Sequence, residues 1–267
     1  VYRFGGVSHG AGTSASATSL ILGAQNQLTG ARSVNLTFGS TSITASNNYT
    51  GGTILNGNAA GGAVNASIAA VVVGIGSNSA FGTGAITLGG TTNWSFGAVN
   101  GDRSVSNNII FEGSSSAAWE FGGDQGTNGI LANTNQGTLM YLGTVDLGGR
   151  ASPTITGRPR GALFLGDVMN GPSGFNYTQG VGGYLSFLSA SANGGVAKTY
   201  AGLTSMGDNA VLVIDSASSV SAGNFAPNST TIQLQPGTGT VDLGARSWAV
   251  SAADTLTFNT PTGSTLT

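Results

Sequence analysis

Apolar and polar residues alternate over short stretches along most of the chain. Val34-Asn35-Leu36-Thr37-Phe38 sends its apolar members to one side and its polar members to the other, the period of a half-buried strand. Ala85-Ile86-Thr87-Leu88, Thr154-Ile155-Thr156, Thr230-Thr231-Ile232-Gln233-Leu234 and Thr255-Leu256-Thr257-Phe258 repeat the pattern. Val211-Leu212-Val213-Ile214 is apolar throughout, which predicts a strand buried on both faces. Asn56-Gly57, Asn100-Gly101 and Asn170-Gly171-Pro172 carry turn chemistry between such segments. Glycine supplies 46 of 267 residues, and each one inside a helix costs about 1 kcal/mol against alanine. Sustained helices are excluded, and no apolar run approaches the roughly 18 residues of a membrane-spanning helix. The pattern predicts an all-β chain.

Internal repetition narrows the kind of β architecture. Val145-Asp146-Leu147-Gly148-Gly149-Arg150-Ala151 returns as Val241-Asp242-Leu243-Gly244-Ala245-Arg246-Ser247, each after a Gly-Thr pair. Looser versions surround Arg32 and Arg103, so Arg32, Arg103, Arg150 and Arg246 share one slot just before a strand. Like charges stacked on adjacent strands would repel. These arginines are therefore expected on separated turns, bonding turn carbonyls or the nearby Asp102, Asp146 or Asp242. A second echo pairs Asn48-Tyr49-Thr50-Gly51-Gly52 with Asn176-Tyr177-Thr178-Gln179-Gly180. A constant turn-plus-strand phrase at variable spacing suits a solenoid with insertions.

Asn48-Tyr49-Thr50-Gly51-Gly52-Thr53-Ile54, followed by Ala80-Phe81-Gly82-Thr83-Gly84-Ala85-Ile86-Thr87-Leu88, resembles the autotransporter-associated β-strand repeat. The Asp-Leu-Gly-Gly-Arg phrase resembles a segment that accompanies it. The copy at Asn176 departs from the family phrase, with Gln179 and Val181 in place of Gly and Thr. The resemblance implies a right-handed parallel β-helix (β-solenoid) from the passenger region of an extracellular or cell-surface bacterial protein. In such a fold, glycine and asparagine at corners supply the positive φ that tight turns need.

Charge and composition then restrict function. Charged residues make up 7% of the chain, where about 25% is usual. With a net charge of −2 there is no electrostatic footprint for nucleic acid. Without cysteine there are no disulfides or thiolate metal sites. His9 is the single histidine and Lys198 the single lysine. The start at Val1-Tyr2-Arg3-Phe4 carries neither initiator methionine nor signal peptide, as expected of a processed or excised chain.

Few motifs carry chemistry. Gly6-Val7-Ser8-His9-Gly10 fits the nucleophile-elbow pattern, but the only histidine adjoins the serine and nothing around it reads as a strand-to-helix turn. Gly10-Ala11-Gly12-Thr13-Ser14-Ala15 lacks the strand and helix that a dinucleotide fingerprint needs. Gly194-Gly195-Val196-Ala197-Lys198-Thr199 lacks the glycine that precedes the lysine of a phosphate loop. Gly122-Gly123-Asp124-Gln125-Gly126 is an unrepeated fragment of a calcium phrase. Arg158-Pro159-Arg160, with Arg150, marks an exposed loop.

The densest acidic group is Glu112, Glu120 and Asp124, beside Phe111, Trp119 and Phe121. Paired carboxylates near aromatics are what a glycosidase uses. Strand alternation gives the simpler reading, with core aromatics and a solvated Glu120.

The sequence thus predicts a single β-solenoid domain over 1–267, with an irregular N-terminal loop at 1–30 and insertion loops near 112–136 and 157–180. Its expected role is a noncatalytic extracellular structural or adhesive part, including a surface filament subunit stacking head to tail. No catalytic, cofactor-binding or metal residues are expected. The expected partners are further copies end to end, a longer solenoid, or a glycan or surface ligand, without nucleic acid or membrane insertion. The alternative is a polysaccharide-binding or polysaccharide-degrading β-helix enzyme using Glu112, Glu120 and Asp124.

Overall fold

The structure, a computed structural model, describes residues 1–5, 20–57, 71–90, 94–112, 118–122, 136–148, 153–157, 160–171, 174–179, 183–190, 193–207, 209–220 and 223–267. Short strands dominate these residues, with one 3-10 turn at Ala217–Ser219. All but two strands join one continuous sheet, and the remaining pair, Gly239–Val241 and Ser264–Leu266, bond to each other.

Three ladders of parallel strands organise that sheet. The first runs through Tyr2–Gly5, the start of Val34–Ile43, Thr53–Gly57, Ile86–Gly90, Ile109–Phe111, Val145–Asp146 and Val168–Met169. The second takes Leu20–Leu22, the end of Val34–Ile43, Val71–Ile75, Trp94–Val99, Ala118–Phe121, Thr154–Gly157, Gly174–Gln179, Leu203–Met206 and Phe225–Pro227. The third takes Gly101–Val105, Gln136–Tyr141, Ala162–Phe164, Leu185–Phe187, Val211–Ile214, Thr230–Leu234 and Leu256–Asn259. From Trp94 to Met169 the chain visits second, third and first ladder in constant order, and from Gly174 to Leu234 its described strands alternate between second and third. The one antiparallel pairing among the described residues joins Gln136–Gly137 to Ala98–Val99.

Register explains the interior. Val34, Thr53, Ile86, Ile109, Val145 and Val168 align as one inward column of the first ladder. Trp94 pairs with Trp119 and Phe96 with Phe121 in the second, while Tyr141, Phe164 and Phe187 align in the third. Inward residues of all three ladders form one apolar cluster. In-register rings stack, 5.4 Å between centroids for Phe96–Phe121 and 5.1 Å for Tyr141–Phe164. Such pairs add about 0.5–1.5 kcal/mol beyond their burial. The spacing along the chain is unequal, shortest from Val34 to Thr53 and longest from Ile109 to Val145, so insertions leave the register intact.

Corners are where the repeats reside. Asp146 and Asp242 accept the backbone N–H of Gly148 and Gly244 at 2.8 and 2.7 Å, and both glycines take positive φ. Leu147 and Leu243 point inward, so the Val-Asp-Leu-Gly phrase is a corner closed by an Asx bond. Asn100 and Asn170 also adopt positive φ, as turn positions should. Asn56-Gly57 does not turn. It continues a strand and pairs with Gly89-Gly90.

Three of the expected loops contain strands. Tyr2–Gly5 and Leu20–Leu22 lie within 1–30, and Ala118–Phe121 lies within 112–136. The segment 157–180 holds Ala162–Phe164, Val168–Met169 and Gly174–Gln179, all in register. Strands of two or three residues between glycines are too short for alternation to register. Val211–Ile214 is buried as expected, apart from half-buried Val211.

Candidate functional site

Most described ionisable groups are spent on the backbone at corners. Asp102 accepts the Thr138 N–H at 2.8 Å, and Asp167 accepts both the N–H and the hydroxyl of Thr199 at 2.8 Å. Asn78 and Asn108 do the same for Ser104 and Thr144. Each ties a backbone N–H from 26 to 36 residues further along the chain. Asp215, 4% exposed, accepts the Ser189 N–H, the Ser219 hydroxyl and the Asn193 amide. Asp254 accepts from the Ser251 hydroxyl. Arg103 donates to the carbonyls of Asp102 and Asn100, and Arg246 to those of Leu243 and Ala217, the turn-carbonyl role expected of that slot.

Lys198 is the extreme case. Its ammonium is buried and donates to four carbonyls, those of Gly166 and Val196 at 2.8 Å, Leu188 at 2.9 Å and Leu165 at 3.2 Å. Burial pushes its pKa down to about 8, while Asp167 and Asp215 pull it upward. Gly194-Gly195-Val196 therefore brings Lys198 to a protein-filled cage, and its amine faces carbonyls where a phosphate site would present N–H groups. The signal available in the sequence was the solitary lysine itself, since a chain this poor in cations places one only where something holds it.

The two described acidic candidates, Glu112 and Glu120, lie at different ladders. Glu112 follows the first-ladder strand Ile109–Phe111 and is exposed. Glu120 lies on the second ladder between Ser95 and Thr156, and is 5% exposed where a solvated acid was expected. Its outward neighbours Ser95 and Thr156 are buried too, so the outer face of that ladder is covered at this level. Trp119 and Phe121 are core residues, as alternation predicts. Asp124, His9, Arg150 and Arg158 lie outside the described residues. Among the described residues no cluster of metal-ligating side chains forms, and no helix is long and apolar enough to cross a membrane.

A groove of about 610 Å³ opens on the outer face of the third ladder. Its wall runs from Asp102 and Thr138 at one end to Gln233 and Gln235 at the other, with Tyr184 and Ser186 between. These side chains come from outward positions on six successive strands, roughly 24 Å along the stacking direction at about 4.8 Å per strand. No family model, curated protein or solved structure matches the chain.

The groove was not legible in the sequence. Gln233 and Gln235 flank Leu234 at the end of one strand, but Tyr184 and Thr138 reach the same surface only through a register that variable insertions conceal.

Proposed function

We propose that the chain is a noncatalytic structural or adhesive scaffold of the cell exterior, coiled as a right-handed parallel β-helix. The observation that carries this reading is the use made of charge. Asp102, Asp146, Asp167, Asp215, Asp242 and Asp254 are all bound to turns, corners or strand starts, and Lys198 is enclosed by carbonyls. Groups fixed in this way hold a rod together and are not poised to move protons. The parallel ladders support the coil, with all three visited in turn from Trp94 to Met169. Display outside the cell rests on the resemblance of Asn48–Thr53 and Ala80–Leu88 to the autotransporter-associated repeat.

End-to-end continuation, by a second copy or by more of the same chain, has its own support. Phe258 aligns with the core residue Ile232 yet is 45% exposed. Leu256 and Trp248 beside it are only partly buried. An apolar stack that stops at an open strand edge templates further pairing.

Electron microscopy of the purified chain, with light scattering and incubation on a polysaccharide panel, tests the reading. Unbranched rods or fibres diffracting at about 4.8 Å along their length are expected, with no released sugar. Globular particles would overturn the coil. Turnover abolished by Glu120→Gln would replace the scaffold with the enzyme reading through Glu112, Glu120 and Asp124.

A further inference from the structure

The groove on the third ladder combines features that select a ligand class. Among the described residues its only charged wall group is Asp102, which already accepts the Thr138 N–H, and no described lysine or arginine lines it. Phosphorylated and sulfated ligands therefore find no counter-charge. An added peptide strand finds no free backbone, because Leu185–Phe187 and Val211–Ile214 are each paired on both sides. Recognition must come from side chains alone.

Those side chains alternate along the groove. Met140, Leu163 and Val213 offer apolar patches, with hydrogen-bonding groups between them. Ser186 is 3% exposed and lines the groove from a strand paired on both sides. Its hydroxyl can both donate to and accept from a ligand hydroxyl. Gln233 accepts from the Asn259 amide at 3.3 Å, leaving its own N–H groups for a ligand. The Tyr184 ring occupies the space that a Cβ on Gly161 would need. Packed there on the backbone, the ring is held in place before any ligand arrives, which lowers the entropic cost of binding.

We propose that this groove binds an uncharged oligosaccharide laid along the stacking direction. Sugar C–H faces would rest on Tyr184 and the apolar patches, and ring hydroxyls would meet Ser186 and Gln233. Successive hexoses of an extended glycan repeat at nearly the strand spacing, so one groove can present equivalent contacts to several rings. The inference rests on the adhesive reading above and gives it a ligand class and a site.

Calorimetric titration of the whole chain with hexamers of β-1,4-glucose, β-1,4-mannose, β-1,4-xylose and α-1,4-glucose tests it. A sulfated oligosaccharide and an uncharged extended peptide serve as the contrasting probes. Binding of at least one neutral hexamer is expected, weakened about tenfold or more by Tyr184→Ala and by Gln233→Ala. Circular dichroism checks that each variant folds, and Gln233→Ala carries the test alone if Tyr184→Ala does not. Failure of every neutral hexamer at millimolar concentration overturns the proposal, as does preference for the sulfated probe or the peptide. Undiminished affinity in the folded variants overturns it too, by placing the glycan elsewhere. Any of these leaves the scaffold reading standing, whereas cleavage of a bound hexamer would sink the scaffold reading and leave the groove.

Discussion

Trp119 lies directly above Trp94, paired in register on neighbouring second-ladder strands, with ring centroids 6.3 Å apart and planes 13° from parallel. Phe111 meets Trp119 edge-on at 5.4 Å from the first ladder. The three rings thus tie two ladders together across consecutive turns of chain.

Removing the middle ring should therefore cost more than an average core truncation. Trp119→Ala is expected to lose about 3–5 kcal/mol in a urea unfolding experiment. A loss below about 1 kcal/mol would mean that the interior collapses around the gap.

Tyr141 gives the opposite sign. Its ring is a core residue, 1% exposed, but its hydroxyl is buried without a hydrogen-bond partner. Tyr141→Phe removes an unsatisfied polar group while keeping the stacked ring, so a gain of about 1 kcal/mol is expected. Thermal melts of the two proteins side by side measure it, and a loss would show that the hydroxyl is satisfied in solution.

Two glycines separate backbone strain from crowding. Gly174 and Gly237 share nearly the same φ, +76° and +75°, but a Cβ on Gly174 would strike the Leu203 carbonyl whereas Gly237 faces open space. Gly237→Ala should cost about 1–2 kcal/mol, the left-handed penalty alone. Gly174→Ala should cost clearly more, because the obstacle is backbone that cannot swing aside. Equal losses would refute the close approach of the two strands.

How far the sequence reveals this molecule depends on whether a feature is local. The inward set Val34, Leu36, Ile86 and Leu88 follows from alternation, and the Val-Asp-Leu-Gly corners follow from repetition. The Tyr echo did not hold. Tyr177 sits within a strand, in register with Ile155 and Met206. The structural counterpart of Tyr49 is instead Tyr200, since each hydroxyl bonds the threonine four residues on, Thr53 at 2.5 Å and Thr204 at 2.8 Å. Gly52 and Gly202 share a positive φ just before those strands. Only the Tyr, Gly and Thr atoms that make this corner are constrained, so residues between them drift and the phrase at Asn176 resembles it better than its true equivalent does. The burial of Glu120 and the groove beside Tyr184 depend on which strands become neighbours, information that unequal insertions remove from any local window.

Lys198 supplies a mutational prediction. Lys198→Met would leave the carbonyls of Leu165, Gly166, Leu188 and Val196 without their shared donor. A loss of at least about 3 kcal/mol is expected. Lys198→Arg should not restore it, because a planar guanidinium does not fit a cage shaped for a compact ammonium. Chemical unfolding of both variants reads this directly, and wild-type stability in either would show the cage to be unimportant.

The pH profile joins that lysine to the buried tyrosines. Lys198 is pushed down from 10.5 to about 8 by burial, so between these values the unfolded chain keeps a proton that the folded chain has released. Stability linked to this group therefore increases with pH from about 8 to 10.5 and is lost as pH falls back through that window. Burial acts the other way on phenols. Tyr49 is raised from 10.0 to about 12, with its bond to Thr53 opposing the shift, and Tyr141 and Tyr177 are raised as well. Above pH 10 the unfolded phenols ionise while the folded ones cannot, so their contribution is lost as pH climbs through 12. One amine favours folding as pH rises and three phenols oppose it. Unfolding midpoints should therefore climb modestly from pH 8 to pH 10 and fall steeply beyond. Lys198→Met should flatten the first limb, and Tyr49→Phe should soften the second. A wild-type midpoint that falls between pH 8 and pH 10 would show that the carbonyl cage holds the Lys198 proton more firmly than burial expels it.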